Sequence, residues 1–294
     1  KADSMAAARK RLPVAYEVAT AAAAATVTVT VTNPFEVVKT RLQLEGEGQK
    51  GALRLANPIA RLAKVARTEG VRGVQAGLLS GILYQQAMNG TRLGAYESVR
   101  KYVSYVVPFP SLQSAVAGGL TGCAGAFVAS PFYQVKVRLQ SRQISNGLLG
   151  GLADTVRSEG LGGLFRGANG AVLRVAMGSA AQLSSYDSCK HAIQRTFRLP
   201  DDLRLYLASS LSASFFVIAV MNPFDVVSTR LYSAPPGKFN GVLHCFAEAL
   251  RHEGPLGLYK GSLANYLRIG PHTILTFTIW EYFKKLTVVY LDGR

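Results

Sequence analysis

Two kinds of long helical stretch alternate along this chain. Stretches at about 14–44, 112–142 and 203–232 are apolar, and each carries a proline late in its course: Pro34, Pro131 and Pro223. Stretches at about 75–105, 167–197 and 261–290 are as long but broken by polar positions, among them Asn89, Arg92, Arg174, Gln182 and Arg268. Thirty helical residues reach about 45 Å at about 1.5 Å each, enough to cross a bilayer with its headgroup regions. Polar groups on a spanning helix face the bundle interior or a wet cavity, because exposure to lipid costs several kcal/mol. The pattern therefore predicts an all-α membrane protein with six spans around a watery interior. The three prolines each remove a backbone hydrogen bond and are expected to kink their helices. Within each pair of spans lies a shorter basic and apolar segment, at 58–68, 148–158 and 242–252. Such segments are expected to lie along the membrane surface. Gly118, Gly119, Gly122 and Gly125 on one span permit close helix approach.

The alternation is a repeat. P-F-E-V-V-K-T-R-L-Q at 34–43 returns as P-F-Y-Q-V-K-V-R-L-Q at 131–140 and P-F-D-V-V-S-T-R-L-Y at 223–232. A Glu-Gly follows each (Glu69, Glu159, Glu253), with a glycine eight residues on (Gly77, Gly167, Gly261). Twenty residues further stands a carboxylate (Glu97, Asp187, Glu281), and three beyond it a base (Arg100, Lys190, Lys284). The spacing is the same in all three copies, and a period above 90 residues suits a triplicated module rather than a solenoid. One body spanning 1–294 is expected, with repeats at about 12–105, 111–198 and 202–292.

Composition narrows the class. Hydrophobic residues make up 49% and charged residues 17%, the latter below the soluble average of about 25%. A net charge of +16 calls for anionic partners. Nucleic acid is not expected, since the 33 Lys and Arg recur at repeat positions instead of clustering in tails. The three cysteines, Cys123, Cys189 and Cys245, have no metal spacing and do not form a disulfide framework. No enzyme motif (a Walker loop, a dinucleotide fingerprint, a His-Cys-acid cluster) stands out, and no metal or cofactor is expected. No signal-peptide pattern is apparent.

The charged repeat positions suggest two rings. Two and five residues after each proline stand an acid and a base, one helical turn apart. If each acid meets the base of the next odd helix around a pseudo-threefold axis, Glu36 pairs with Lys136 and Asp225 with Lys39. Tyr133, in place of the third acid, then faces Ser228, in place of the third base. The lost charges would have been partners, so the exceptions cancel. At the other end Glu97/Arg100, Asp187/Lys190 and Glu281/Lys284 form a second ring, each acid following an aromatic (Tyr96, Tyr186, Trp280). Two charged rings at opposite ends of a polar path are expected to act as alternating gates. With three ionic pairs against two, the second ring is expected to be the one closed at rest. No acid outside the rings, the loops and the termini is left to neutralise Arg174 and Arg268, so both are expected to face a substrate.

The motif P-x-[DE]-x-x-[KR]-x-R with a Gln one turn later, together with [YFW]-[DE]-x-x-[KR], closely resembles the mitochondrial carrier family. The resemblance covers nearly all of the chain. It implies a multi-pass protein of the mitochondrial inner membrane, acting as a monomer, with six tilted helices in three pseudo-threefold repeats and three surface helices on the matrix side. It implies a matrix gate at the proline end, where Gln43 and Gln140 would brace the ion pairs and Tyr232 stands in the third brace position. The other ring would be the cytoplasmic gate. Arg166-Gly167 and Lys260-Gly261 resemble the helix starts that hold cardiolipin, a bound structural lipid, while Gly77 closes a degraded copy. The contact positions, seven residues beyond each glycine, are Tyr84 with Gln85, Arg174 with Val175, and Arg268. Two arginines in one cavity suit a small dianion, since each guanidinium grips a carboxylate by its fork. Arg92 would help select its shape. The stretches at 84–94, 220–226 and 266–274 resemble the oxaloacetate-transporting branch of that family and imply oxaloacetate, sulfate or malonate-like acids as substrates. A different dicarboxylate exchanger, or an uncoupling-type proton leak on the same scaffold, is the alternative. His272, one turn beyond Arg268, is either a proton carrier or, following Pro271, a residue hydrogen-bonded to a neighbouring backbone.

Overall fold

The computed structural model describes residues 14–47, 57–197 and 203–292, and among these it is helical without strands. The long odd helices are α1 (Val14–Leu44), the pair α4 (Pro110–Val128) and α5 (Ser130–Gln140), and α8 (Leu203–Ser233). The even helices are α3 (Leu78–Ser104), α7 (Ala168–Phe197) and α10 (Ser262–Asp292). Three shorter helices lie between, α2 (Pro58–Val74), α6 (Gly147–Gly163) and α9 (Val242–Glu253). Each even helix packs on the odd helix of the next repeat: α3 on α4, α7 on α8, and α10 back on α1. That order closes a ring. At their proline ends α1, α5 and α8 also touch one another.

The segment T-V-T-V-T-V-T at 26–32 alternates as a half-buried strand would, yet it is helical. An isolated membrane segment satisfies its backbone only as a helix. The threonines reinforce that choice: Thr26, Thr30 and Thr32 donate to the carbonyls of Ala22, Thr26 and Thr28 at 2.9 Å each. Among the described residues, only α1 and α8, with the bent pair α4–α5 as a third, are long and apolar enough to cross a membrane by length and composition. Polar positions facing the interior keep the even helices below that mark.

The three prolines do not act alike. Helices α1 and α8 run on through Pro34 and Pro223, and the break falls between α4 and α5, at 62°. The residue before each proline is buried and bonded to the surface-helix end of its own repeat. Asn33 donates to the Val74 and Ala76 carbonyls at 3.3 Å, Ser130 to Leu164 at 3.3 Å, and Asn222 to Leu258 at 2.8 Å.

Glu-Gly now has a reason. The glycines Gly70, Gly160 and Gly254 sit at φ of 62°, 71° and 72°, where a side chain is strained although nothing within 4 Å would meet it. Backbone conformation, not space, requires glycine there. The glutamates before them dock each surface helix on its odd helix through the arginine seven residues after the proline. Arg41 meets Glu69 at 2.5 Å, Arg138 meets Glu159 at 2.8 Å, and Arg230 meets Glu253 at 2.9 Å. The bond from Arg41 holds the Glu69 carboxyl below the usual range. Sequence reasoning missed this tie, although both partners recur at fixed positions in all three copies.

Candidate functional site

The proline ends of α1, α5 and α8 bring together the acids and bases that follow each proline. Lys136 is bonded to Glu36, and Lys39 meets Asp225 at 2.5 Å. Both bases and Asp225 are buried. Lone charges in such a place cost several kcal/mol each, so each persists only with its partner.

Each acid also holds one of the contact arginines. Arg268 on α10 donates to Glu36 at 2.7 Å, and Arg174 on α7 lies 3.7 Å from Asp225, an ionic contact longer than a hydrogen bond. The expectation that these arginines have no acid to neutralise is therefore wrong. The acids they meet are the ring acids themselves: Glu36 accepts Lys136 on one oxygen and Arg268 on the other, while Asp225 accepts Lys39 and Gln43 on one and faces Arg174 with the other, which accepts no hydrogen bond. Even so, the Nε atoms of Arg174 and Arg268 are buried without a hydrogen-bond partner.

The third set of positions is uncharged and arranged differently from expectation. Tyr133 does not pair with Ser228, whose Oγ is buried and unbonded. Its ring packs between Tyr84, 4.9 Å away between centroids, and Tyr232, 5.1 Å away. Burying three aromatic rings against one another is more favourable than aiming one phenol at a serine. Arg174 sits over this cluster, 5.5 Å from the Tyr133 ring, and donates to the Tyr84 hydroxyl at 3.0 Å.

The braces differ from one another. Gln43 donates to Asp225 at 2.8 Å and so touches its ion pair. Gln140 touches neither Glu36 nor Lys136; it accepts from Thr40 at 2.7 Å and donates to Asn33 at 3.3 Å. Tyr232 bonds Ser130 at 2.9 Å, across the break between α4 and α5.

Of the remaining contact candidates, Val175 packs toward α4 at Gly122. Gln85 is half-buried, and among the described residues it forms no hydrogen bond. Arg92 is exposed, eight residues along α3 from Tyr84 and beside Gly118 on α4, so it is not brought to the two arginines. His272 is tied to α1, with Nδ1 3.2 Å from the Thr32 hydroxyl. Thr32 spends its proton on Thr28, so His272 is the donor in that bond. The partner is a side-chain hydroxyl and not the neighbouring backbone expected.

The opposite ends of the even helices carry the second ring. Glu97 and Glu281 are exposed, and neither they nor Arg100 form an ion pair among the described residues. Lys284 lies 3.6 Å from Glu17 on α1 and over the Trp280 ring at 4.0 Å. Lys190 is half-buried, and the Asp187 side chain falls outside the described residues. The ion pairs formed among the described ring residues are those at the proline end. Counting pairs ignored the second cation that each proline-end acid receives.

The glycines that open the even helices mark close approaches between repeats. A Cβ on Gly77 would meet the Lys136 carbonyl at 3.1 Å, one on Gly261 the Lys39 carbonyl at 3.2 Å, and one on Gly167 the Tyr232 ring. The neighbouring bases are already engaged. Arg166 meets Glu159 at 2.6 Å and Lys260 meets Glu253 at 2.6 Å. In the first repeat Ala76 stands in place of the base, and Arg142 of the second repeat supplies the missing charge to Glu69 at 2.9 Å.

The family described as "Mitochondrial carrier protein" matches residues 10–106, 108–197 and 201–290. The chain is 36% identical to the mitochondrial oxaloacetate transport protein of Saccharomyces cerevisiae over 89% of this chain and 86% of that one. It is 36% identical to the mitochondrial citrate transporter E of Aspergillus niger, over 86% and 87%. With the mitochondrial dicarboxylate carrier of Caenorhabditis elegans it shares 32% identity over 86% and 87%. Three family matches in register with three copies of one charged motif leave no other assignment: the chain belongs to the mitochondrial carrier family, a transporter of the mitochondrial inner membrane and not an enzyme.

Proposed function

We propose that this carrier moves small dicarboxylate dianions, oxaloacetate and malonate-like acids among them and sulfate beside them, by alternating access. One observation carries the reading. At the floor of the ring four cations, Lys39, Lys136, Arg174 and Arg268, meet two carboxylates, Glu36 and Asp225. The excess is two positive charges, which one dianion balances. Neither Nε is hydrogen-bonded, so each guanidinium keeps a donor that a carboxylate could engage once the arginine leaves its acid. The oxaloacetate and dicarboxylate names among the relatives point the same way, while the citrate name extends the class to a tricarboxylate.

The cycle follows from the sharing of acids. A substrate that takes Arg268 from Glu36 and Arg174 from Asp225 puts two new negative charges beside the two ring acids. Those acids then hold their lysines next to a like-charged neighbour, and the proline end, the matrix gate, loosens. Closure of the far end follows when Lys284 leaves Glu17 for its ring. Neither state is deep, because every pair broken is replaced. Inward movement of a dianion opposes a matrix-negative potential at about 2.3 kcal/mol per charge per 100 mV. Arginine carries no titrating proton, so exchange for another anion removes the charge cost. The basic residues around Gly167 and Gly261 are bonded to glutamates, so a cardiolipin phosphate at these helix starts would be received by backbone N–H groups.

A thermal-stability screen of the detergent-purified protein tests the substrate class. A ligand bound only by the folded state at about 100 times its Kd raises stability by about 2.7 kcal/mol. Dicarboxylates are expected to raise the unfolding temperature, and monocarboxylates of equal size to leave it unchanged. A response to monocarboxylates alone would remove the reading.

A further inference from the structure

We infer that the uncharged triad Tyr84, Tyr133 and Ser228 sets the valence of the substrate at two, and that Tyr133 is its deciding member. The inference rests on the dicarboxylate reading above and goes on to say why the number is two.

The floor consists of three equivalent triads. Each is made of a contact residue on an even helix, the residue two past the proline on the next odd helix, and the residue five past the proline on the odd helix after that. In the first, Glu36 joins Arg268 to Lys136. In the second, Asp225 joins Arg174 to Lys39. Each has two cations and one acid, a surplus of one. The third has Tyr84 and Tyr133 in ring contact, with Ser228 at the base position. All three of its charged positions are neutral together, so it adds nothing. A fully charged third triad would raise the surplus to three.

Tyr133 holds the decision because of where Arg174 lies. That guanidinium is 5.5 Å from the Tyr133 ring and bonded to the Tyr84 hydroxyl. The tyrosines therefore position Arg174 by a ring face and a neutral oxygen, leaving its charge for substrate. A carboxylate at 133 would stand beside Arg174 and consume that charge. Lys136 is also near, 5.8 Å from both rings.

The test uses the full chain in liposomes, with labelled malate uptake inhibited by unlabelled lactate, malonate or tricarballylate at neutral pH. Tyr133→Asp lowers the surplus to one, and the preference for malonate over lactate is expected to fall by roughly tenfold, the factor that corresponds to about 1.4 kcal/mol. Adding Ser228→Lys to that variant restores the surplus of two and is expected to return the preference toward the parent's. Tyr84→Arg raises the surplus to three, and the preference for tricarballylate over malonate is expected to rise by a similar factor. Tyr84→Arg also stands alone if the carboxylate at 133 proves too disruptive to fold. Unchanged preferences in the single variants overturn the inference, as does a double variant that stays as unselective as Tyr133→Asp, since shape and not charge would then be at fault. A parent that takes up no malate and ignores malonate is a different result, and defeats the dicarboxylate reading itself.

Discussion

Arg268→Ala protein is expected to extract and fold normally yet to take up labelled dicarboxylate at least roughly a hundredfold more slowly than the parent, the factor equivalent to about 2.7 kcal/mol. Arg268 is one of two guanidiniums beside the same floor, and its fork toward Glu36 is the surface a carboxylate would take over. Folding survives because the floor already has more cations than acids. Glu36 keeps Lys136, so no carboxylate is stranded. Arg268→Lys should recover little, because an ammonium is a point charge without the planar pair of donors. Arg174→Ala should behave alike, with a further loss of the Tyr84 bond. Robust uptake by either alanine variant would remove the arginines from the substrate site.

Glu36→Gln is expected to do the opposite, injuring the fold before the transport. It strands Lys136 and Arg268 together, two cations bonded to one lost carboxylate. Removing one partner of a buried pair costs about 3–5 kcal/mol, and the unfolding temperature in detergent should fall steeply. The informative variant is the exchange Glu36→Lys with Lys136→Glu. For an isolated pair the exchange restores the bond and the stability. Here it places a lysine against Arg268 and is expected to leave the protein nearly as unstable as Glu36→Gln. Full recovery of the unfolding temperature in the exchanged protein would show that Glu36 is not shared, and the proposed link between substrate site and gate would fall with it.

Much of the architecture was legible because repetition makes position visible. Three prolines, three Glu-Gly pairs and three glycines in one spacing fix the helix order, and the family follows from them. The partners of Lys39 and Lys136 could be reasoned from the cancelling exceptions at Tyr133 and Ser228. Which group an exception then prefers is a matter of packing, and sequence did not reach it. Tyr133 turned to Tyr84 and Tyr232 because aromatic area outweighs one weak polar contact. Gln140 found Thr40 and Asn33, which are separated from it by about a hundred residues and share no repeat position with it. The double use of Glu36 and Asp225 was hidden for another reason. A list of acids and bases assigns one partner to each, whereas a carboxylate has two oxygens and can face a different cation with each. The continuous α1 at Pro34 and the break at Pro131 also share one sequence signal. The outcome there depends on neighbours, Ser130 being held by both Leu164 and Tyr232.

The most direct test of the central claim is uptake by the purified protein in cardiolipin-containing liposomes, with labelled oxaloacetate or malate outside and dicarboxylate inside, alongside proton flux with and without fatty acid. The account predicts saturable uptake that depends on the internal dicarboxylate and on both Arg174 and Arg268, with no fatty-acid-stimulated proton flux. Fatty-acid-stimulated proton flux without saturable dicarboxylate uptake would contradict it.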